Sequence, residues 1–152
     1  MKIFIDADGC PVKQEVYRVA QRYELDVVLV ANAWMKTPQR NWLEFVMVND
    51  DLDAADDWIV EQVQENDIVI TADIPLASRS LEKGAYAISH RGRMFDDDNI
   101  KDALATRDLQ AQLREVGVIT GGPPPFQKKD RSRFLQSLDK IIQKIYKKMR
   151  QS

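Results

Sequence analysis

A chain of 152 residues, 44% hydrophobic and 30% charged, has the size and composition of one soluble domain and leaves little room for a second. It can bury about 68–70% of its unfolded surface, enough for a core without staples, and its one cysteine, Cys10, excludes an intrachain disulfide and fits a reducing compartment. A net charge of −2 gives no bulk attraction to nucleic acid, and the absence of a basic segment followed by a long apolar run argues against a signal peptide or membrane span. The expectation is a cytoplasmic domain over 1–152, with no membrane partner and an oligomeric state the sequence does not reveal.

Taken in order, Lys2–Ile5 is a short apolar run entering the turn Asp6-Ala7-Asp8-Gly9, which predicts a buried strand. Pro11 suits the first turn of a following helix, where its missing N–H costs nothing. Val12, Val16, Val19 and Ala20 then recur at helical spacing. Val27–Val30 and Phe45–Val48 read as further strands, separated by a polar and aromatic loop over Ala33–Trp42. Asp53 is placed as an N-cap, with Asp56 three residues on in the capping-box position. A helix then runs to about Glu65.

Ile68-Val69-Ile70 predicts a fourth strand, followed by Thr71-Ala72-Asp73 and a helix begun by Pro75 and ended at Gly84. Tyr86–Ile88 is a short fifth strand, and Asn99 opens one or two helices ending near Gly117. Gly121-Gly122-Pro123-Pro124-Pro125 reads as a stiff connector. Phe134, Leu138, Ile141, Ile142, Ile145 and Met149 mark one face of a last helix. Strands alternating with helices imply an α/β fold, a mainly parallel central sheet with helices on both faces.

In such a sheet, ligands bind beyond the carboxyl ends of the strands. Asp6, Asp8 and Asp73 all stand where a predicted strand stops, and the preceding helix adds Asp53, Asp56 and Asp57. Converging carboxylates repel one another unless a cation sits between them. Hard oxygen ligands with open positions suit Mg²⁺ or Mn²⁺. Two such ions about 3.5–4 Å apart can clamp both oxygens of an in-line displacement at phosphorus. Each Asp also has a plain reading as a turn or cap residue. Asp-x-Asp after a first strand equally opens haloacid-dehalogenase-type phosphotransferases, in which Asp6 would be the nucleophile and Asp8 the acid/base.

Charge is unevenly distributed. Asn49 to Asp73 holds nine acidic residues and no Lys or Arg, whereas Phe126 to Ser152 holds nine basic residues against two acidic ones. Two readings fit: oppositely charged solvated helix faces, or an acidic metal pocket beside a surface that attracts a polyanion. On the second, Lys128, Lys129, Arg131 and Arg133, with Lys13 near the first turn, contact phosphates. Trp34, Trp42 and Tyr86 are candidates for stacking on bases, or for the core. Cys10 and His90 are each the single residue of their type, too few for a zinc site. Their plain readings are a small packed residue and a loop residue.

The segments Ile5-Asp6-Ala7-Asp8-Gly9-Cys10-Pro11-Val12-Lys13, Ala54-Ala55-Asp56-Asp57-Trp58-Ile59, Asp67–Ala77 and Thr120–Phe126 closely resemble the YaiI/YqxD family of small bacterial proteins. Their order also resembles PIN toxins, with a strand Asp, an Asp on a helix, and a strand ending Thr-x-Asp. The resemblance implies a single PIN-like domain over 1–152 and a divalent-metal-dependent nuclease, on RNA more than DNA. It implies Asp6, Asp56 and Asp73 as catalytic and Asp6, Asp8, Asp56 and Asp73 as metal ligands. The Arg that follows the helix acid in many PIN sequences is Asp57 here. A binding module of the same fold that does not cut is the alternative.

Overall fold

The computed structural model describes residues 1–122 and 124–151; Pro123 of the connector and Ser152 lie outside the described residues. Six strands form one sheet: β1 (Lys2–Asp6), β2 (Asp26–Ala31), β3 (Leu43–Met47), β4 (Ile68–Ile70), β5 (Tyr86–Ile88) and β6 (Met94–Phe95). Their order is β3-β2-β1-β4-β5-β6. All neighbours are parallel except β6, which returns antiparallel along β5. The helices are α1 (Lys13–Tyr23), α2 (Ala54–Gln62), α3 (Ile74–Glu82), α4 (Ile100–Glu115) and α5 (Lys128–Gln151). Among the described residues, no helix is long and apolar enough to cross a membrane.

The two-residue alternation of strand side chains decides which helix covers which face. Ile3 and Ile5 of β1, with Ile68 and Ile70 of β4, belong to one core under α1 and α5. Phe4, Val28, Val30 and Val69 belong to a second core under α2 and α3. A third, smaller core joins Ala77 of α3 to Ala87, Phe95 and the start of α4 at Ile100 and Ala103. The central strands are apolar on both faces, as buried parallel strands are.

Three local expectations need correction. Pro11 precedes the helix instead of entering it, because α1 begins at Lys13 with Val12 as its N-cap residue. Asp53 stands at the N-cap of α2 but in the left-handed region, φ 66°, and its side chain accepts no capping hydrogen bond. The short β6 carries no period for a sequence to display and was not expected. Asn99 precedes a single helix, one of the two outcomes expected there.

Three buried acids fix the ends of the assembly. Asp67 accepts from the backbone N–H groups of Lys2 (2.8 Å) and Gln64 (2.8 Å), tying the start of β1 to the turn before β4. Glu15 of α1 receives the Arg131 guanidinium through both oxygens, at 2.8 and 3.1 Å, and Arg131 also donates to the Pro11 carbonyl. The start of α5 is thereby clamped to the start of α1. Asp130 completes this corner: it accepts from the Gln127 N–H at 3.0 Å, as an acid at the third helical position does in a capping box, and from Arg91 at 2.9 Å. The guanidinium groups of Arg91 and Arg131 both lie over the Phe126 ring, 5.7 and 5.2 Å from its centre.

Candidate carboxylate centre

The strand order reverses between β1 and β4. The chain leaves β1 toward β2 on one side, and after β3 crosses back to β4 on the other. A crevice opens at the carboxyl ends of strands flanking such a switch point. In dinucleotide-binding sheets of the same order, glycines after β1 let the backbone approach a pyrophosphate. Here the turn carries Asp6-Ala7-Asp8-Gly9 instead, so the crevice is lined by acid.

Side-chain parity puts Asp6 on the Phe4 face and Thr71 on the Val69 face, which is the same face of adjacent strands. Thr71 donates its hydroxyl to Asp6 Oδ2 at 2.8 Å and accepts the Asp73 N–H at 2.9 Å. Asp73 in turn N-caps α3, taking the Leu76 N–H on Oδ1 at 3.0 Å. One oxygen of each carboxylate is thus spent on orientation. Asp6 Oδ1 and Asp73 Oδ2 have no protein donor among the described residues, and Asp56 accepts no hydrogen bond there.

The third acid comes from α2, which crosses the same face. Burial raises the Asp56 pKa to about 7, and the charges of Asp73, Asp6 and Asp53 add to the rise, against a lowering by Arg79. Asp6 is raised too, by burial first, with Asp73 and Asp8 contributing and the Thr71 hydrogen bond opposing. Asp6, Asp56 and Asp73 therefore feel one another, the condition a cation relieves. Among the described residues, no three Asp, Glu, His or Cys side chains converge closely enough to hold an ion as they stand.

The other expected residues are distributed around this centre. Asp8 is exposed and its Oδ2 accepts the Asn32 N–H at 2.9 Å, anchoring the loop after β2. Asp57, one step round the helix from Asp56, pairs outward with Arg79 at 2.8 Å. Lys13 opens α1, near enough to His90 to lower its pKa. Lys128 and Lys129 are exposed in the first turn of α5, with no ion pair among the described residues. Arg131 is committed to Glu15, and Arg133 sits loosely by Asp130 at 3.9 Å.

Trp34 is 74% exposed on the loop after β2, whereas Trp42 packs edge-on against Tyr17, 5.8 Å between ring centres. Cys10 is buried and its thiol is pushed up to about 11, first by desolvation, so at neutral pH it is a protonated packing residue. His90, on the turn after β5, has a buried Nε2 without a hydrogen-bond partner among the described residues, and desolvation with Arg91 and Lys13 lowers its pKa.

Sequence reasoning saw Thr71 as part of a motif but missed its part in orienting two acids. The parity of Val69 and Thr71 was the available signal. It also missed Arg93 and Arg107, which line a cavity with Asp73. No signal in the sequence announces them, because the contact requires α4 to be docked against α3.

Comparison with known proteins supplies a family. Residues 4–144 match the profile of the family described as "Uncharacterized BCR, YaiI/YqxD family". The UPF0178 protein amb2838 of Paramagnetospirillum magneticum is 52% identical over 141 residues, 93% of each chain. A UPF0178 protein of Rhodopseudomonas palustris is 51% identical over 95% of this chain and 91% of its own. One of Brucella ovis is 52% identical over 94% and 89%. No solved structure matches. The chain belongs to the YaiI/YqxD family.

Proposed function

We propose that this chain is a PIN-like, divalent-metal-dependent phosphodiesterase acting on nucleic acid, RNA more than DNA. One observation carries the reading: carboxylates from three separate elements, Asp6, Asp56 and Asp73, lie at the carboxyl ends of the two strands that flank the topological switch point, near enough for each to feel the others' charge though not gathered around one point. All-oxygen donors suit Mg²⁺ or Mn²⁺, which also leave positions for phosphate oxygens. Asp6, Asp56 and Asp73 would hold the ion, with Asp8 at the rim. When bound, such an ion lowers the pKa of a water and offsets charge on the phosphoryl group. Thr71 keeps Asp6 and the start of α3 in register, and Lys13, Lys128 and Lys129 draw in the polyanion.

A nucleic-acid-binding module without turnover is the second reading, and the loose spacing of the acids favours it. Incubating labelled single-stranded RNA and DNA with Mn²⁺, Mg²⁺ or EDTA decides between them. Metal-dependent cleavage that Asp73→Asn abolishes is the expected result. Intact RNA that is nevertheless retained by the protein would leave the binding module.

A further inference from the structure

The acidic centre has an annex on its α4 side. A cavity of about 550 Å³ begins at Asp73 and is lined by Arg93, Asp102, Thr106, Arg107 and Gln110. It exists because α4 is buried only through its first turn, at Ile100 and Ala103. Positions 103, 106, 107 and 110 form one stripe at helical spacing, and beyond the small Ala103 that stripe is polar and exposed. Among the described residues, the contact of Arg107 with its neighbour Asp108 is the one side-chain hydrogen bond or ion pair made by Arg93, Thr106, Arg107 or Gln110.

The two arginines differ from those expected to grip phosphate. Arg131 and Arg91 spend their guanidinium groups on the buried acids Glu15 and Asp130. Arg93 has no carboxylate partner among the described residues; its guanidinium lies over the Phe95 ring at 5.2 Å. Arg107 pairs only with its exposed neighbour Asp108 at 3.4 Å, a contact of little strength. Two planar forks, a hydroxyl and an amide form a donor set for phosphate oxygens. Asp102 is the one opposing charge in the annex outside the acidic centre itself.

We propose that this cavity is a phosphate subsite, in which Arg93 and Arg107 hold the nucleotide next along the strand from the one at Asp6, Asp56 and Asp73. The proposal rests on the phosphodiesterase reading and adds to it a place and a direction for the substrate. A space of this volume takes a nucleotide-sized group, and a single-stranded probe is the simplest ligand that can reach it.

The test is binding of fluorescein-labelled dodecauridylate by the full chain, followed by anisotropy over a salt series in Ca²⁺, with a gel verifying that the probe stays intact. Each phosphate contact contributes about 0.7 to the slope of log affinity against log salt for a single strand. Arg93→Ala with Arg107→Ala should lower that slope by about 1.4, and the exposed Arg107→Ala alone by about 0.7. Mn²⁺ affinity by calorimetry should stay at the parent value, which also certifies the fold of each variant. A parent that binds the probe while both variants keep its affinity and slope overturns the subsite and leaves the phosphodiesterase reading standing. A parent that neither binds nor cleaves single strands overturns both.

Discussion

Asp73 does two things at once, and a single substitution separates them. Its Oδ1 caps α3 while its charge raises Asp56 and Asp6. Asn is as good an N-cap as Asp, so Asp73→Asn should leave the metal-free melting temperature unchanged or raise it. Mn²⁺ affinity by calorimetry should fall at least tenfold. Asp56 has the opposite diagnostic, its pH dependence. Its pKa rises from 3.8 in the unfolded reference to about 7 on folding, through burial and then its acidic neighbours. The folded chain thus holds this proton more tightly than the unfolded one. The stabilisation is complete below about pH 4 and is lost as pH climbs through about 7. Asp6 acts in the same direction. In EDTA, the urea midpoint of the parent should drop across that window, and Asp56→Asn should gain on the parent most at the alkaline end. Equal pH profiles for parent and variant would remove Asp56 from the acidic centre.

At the scale of elements, the clamp between α1 and α5 is the most exposed to a single change. Removing Arg131 strands Glu15, a buried carboxylate that then keeps, among the described residues, the 3.7 Å contact with Arg18. Breaking a fully buried pair costs about 3–5 kcal/mol. The Arg131 side chain is 43% exposed, so Arg131→Ala should cost about 2–3 kcal/mol, and adding Glu15→Gln should recover part of it in urea unfolding. This clamp was invisible in the sequence, which marks Arg131 only as one of a basic run; 116 positions separate the partners. The strands and most helices were legible because apolar runs and boundaries such as Asp73, Pro75 and Gly84 report local physics. Strand-end acids were legible for the same reason. What escaped depends on docking: the two-residue β6, the left-handed backbone at Asp53, and the cavity that α4 makes with Asp73.

Over the whole molecule, charge is sorted by place more than by amount. The acids gather at the switch point, while Lys128 and Lys129 stand at the start of a helix held beside Pro11, just past the end of β1. A Lys128→Ala, Lys129→Ala variant should bind single-stranded RNA more weakly, with a salt slope reduced by about 1.4 and no change with base sequence. Its Mn²⁺ binding should match the parent. An unaltered salt slope would make those lysines ordinary solvated residues.

The placement of α5 also sets the timetable of folding. Phe134, Leu138, Ile141, Ile142 and Ile145 close the core that Ile3, Ile5, Ile68 and Ile70 begin. The strands supplying the other side of that core are synthesised first, and their apolar face has no complete cover until the last helix arrives. Contacts distant in sequence form only once loop-closure entropy has been met, which places those of α5 late. With the strands paired in the transition state, docking of α5 is expected to follow the barrier. Phe134→Leu should speed unfolding several-fold in stopped-flow urea jumps and leave the refolding rate nearly unchanged. A nascent chain halted before Phe126 would carry a finished acidic centre on an unfinished core, prone to association through the face that α5 covers.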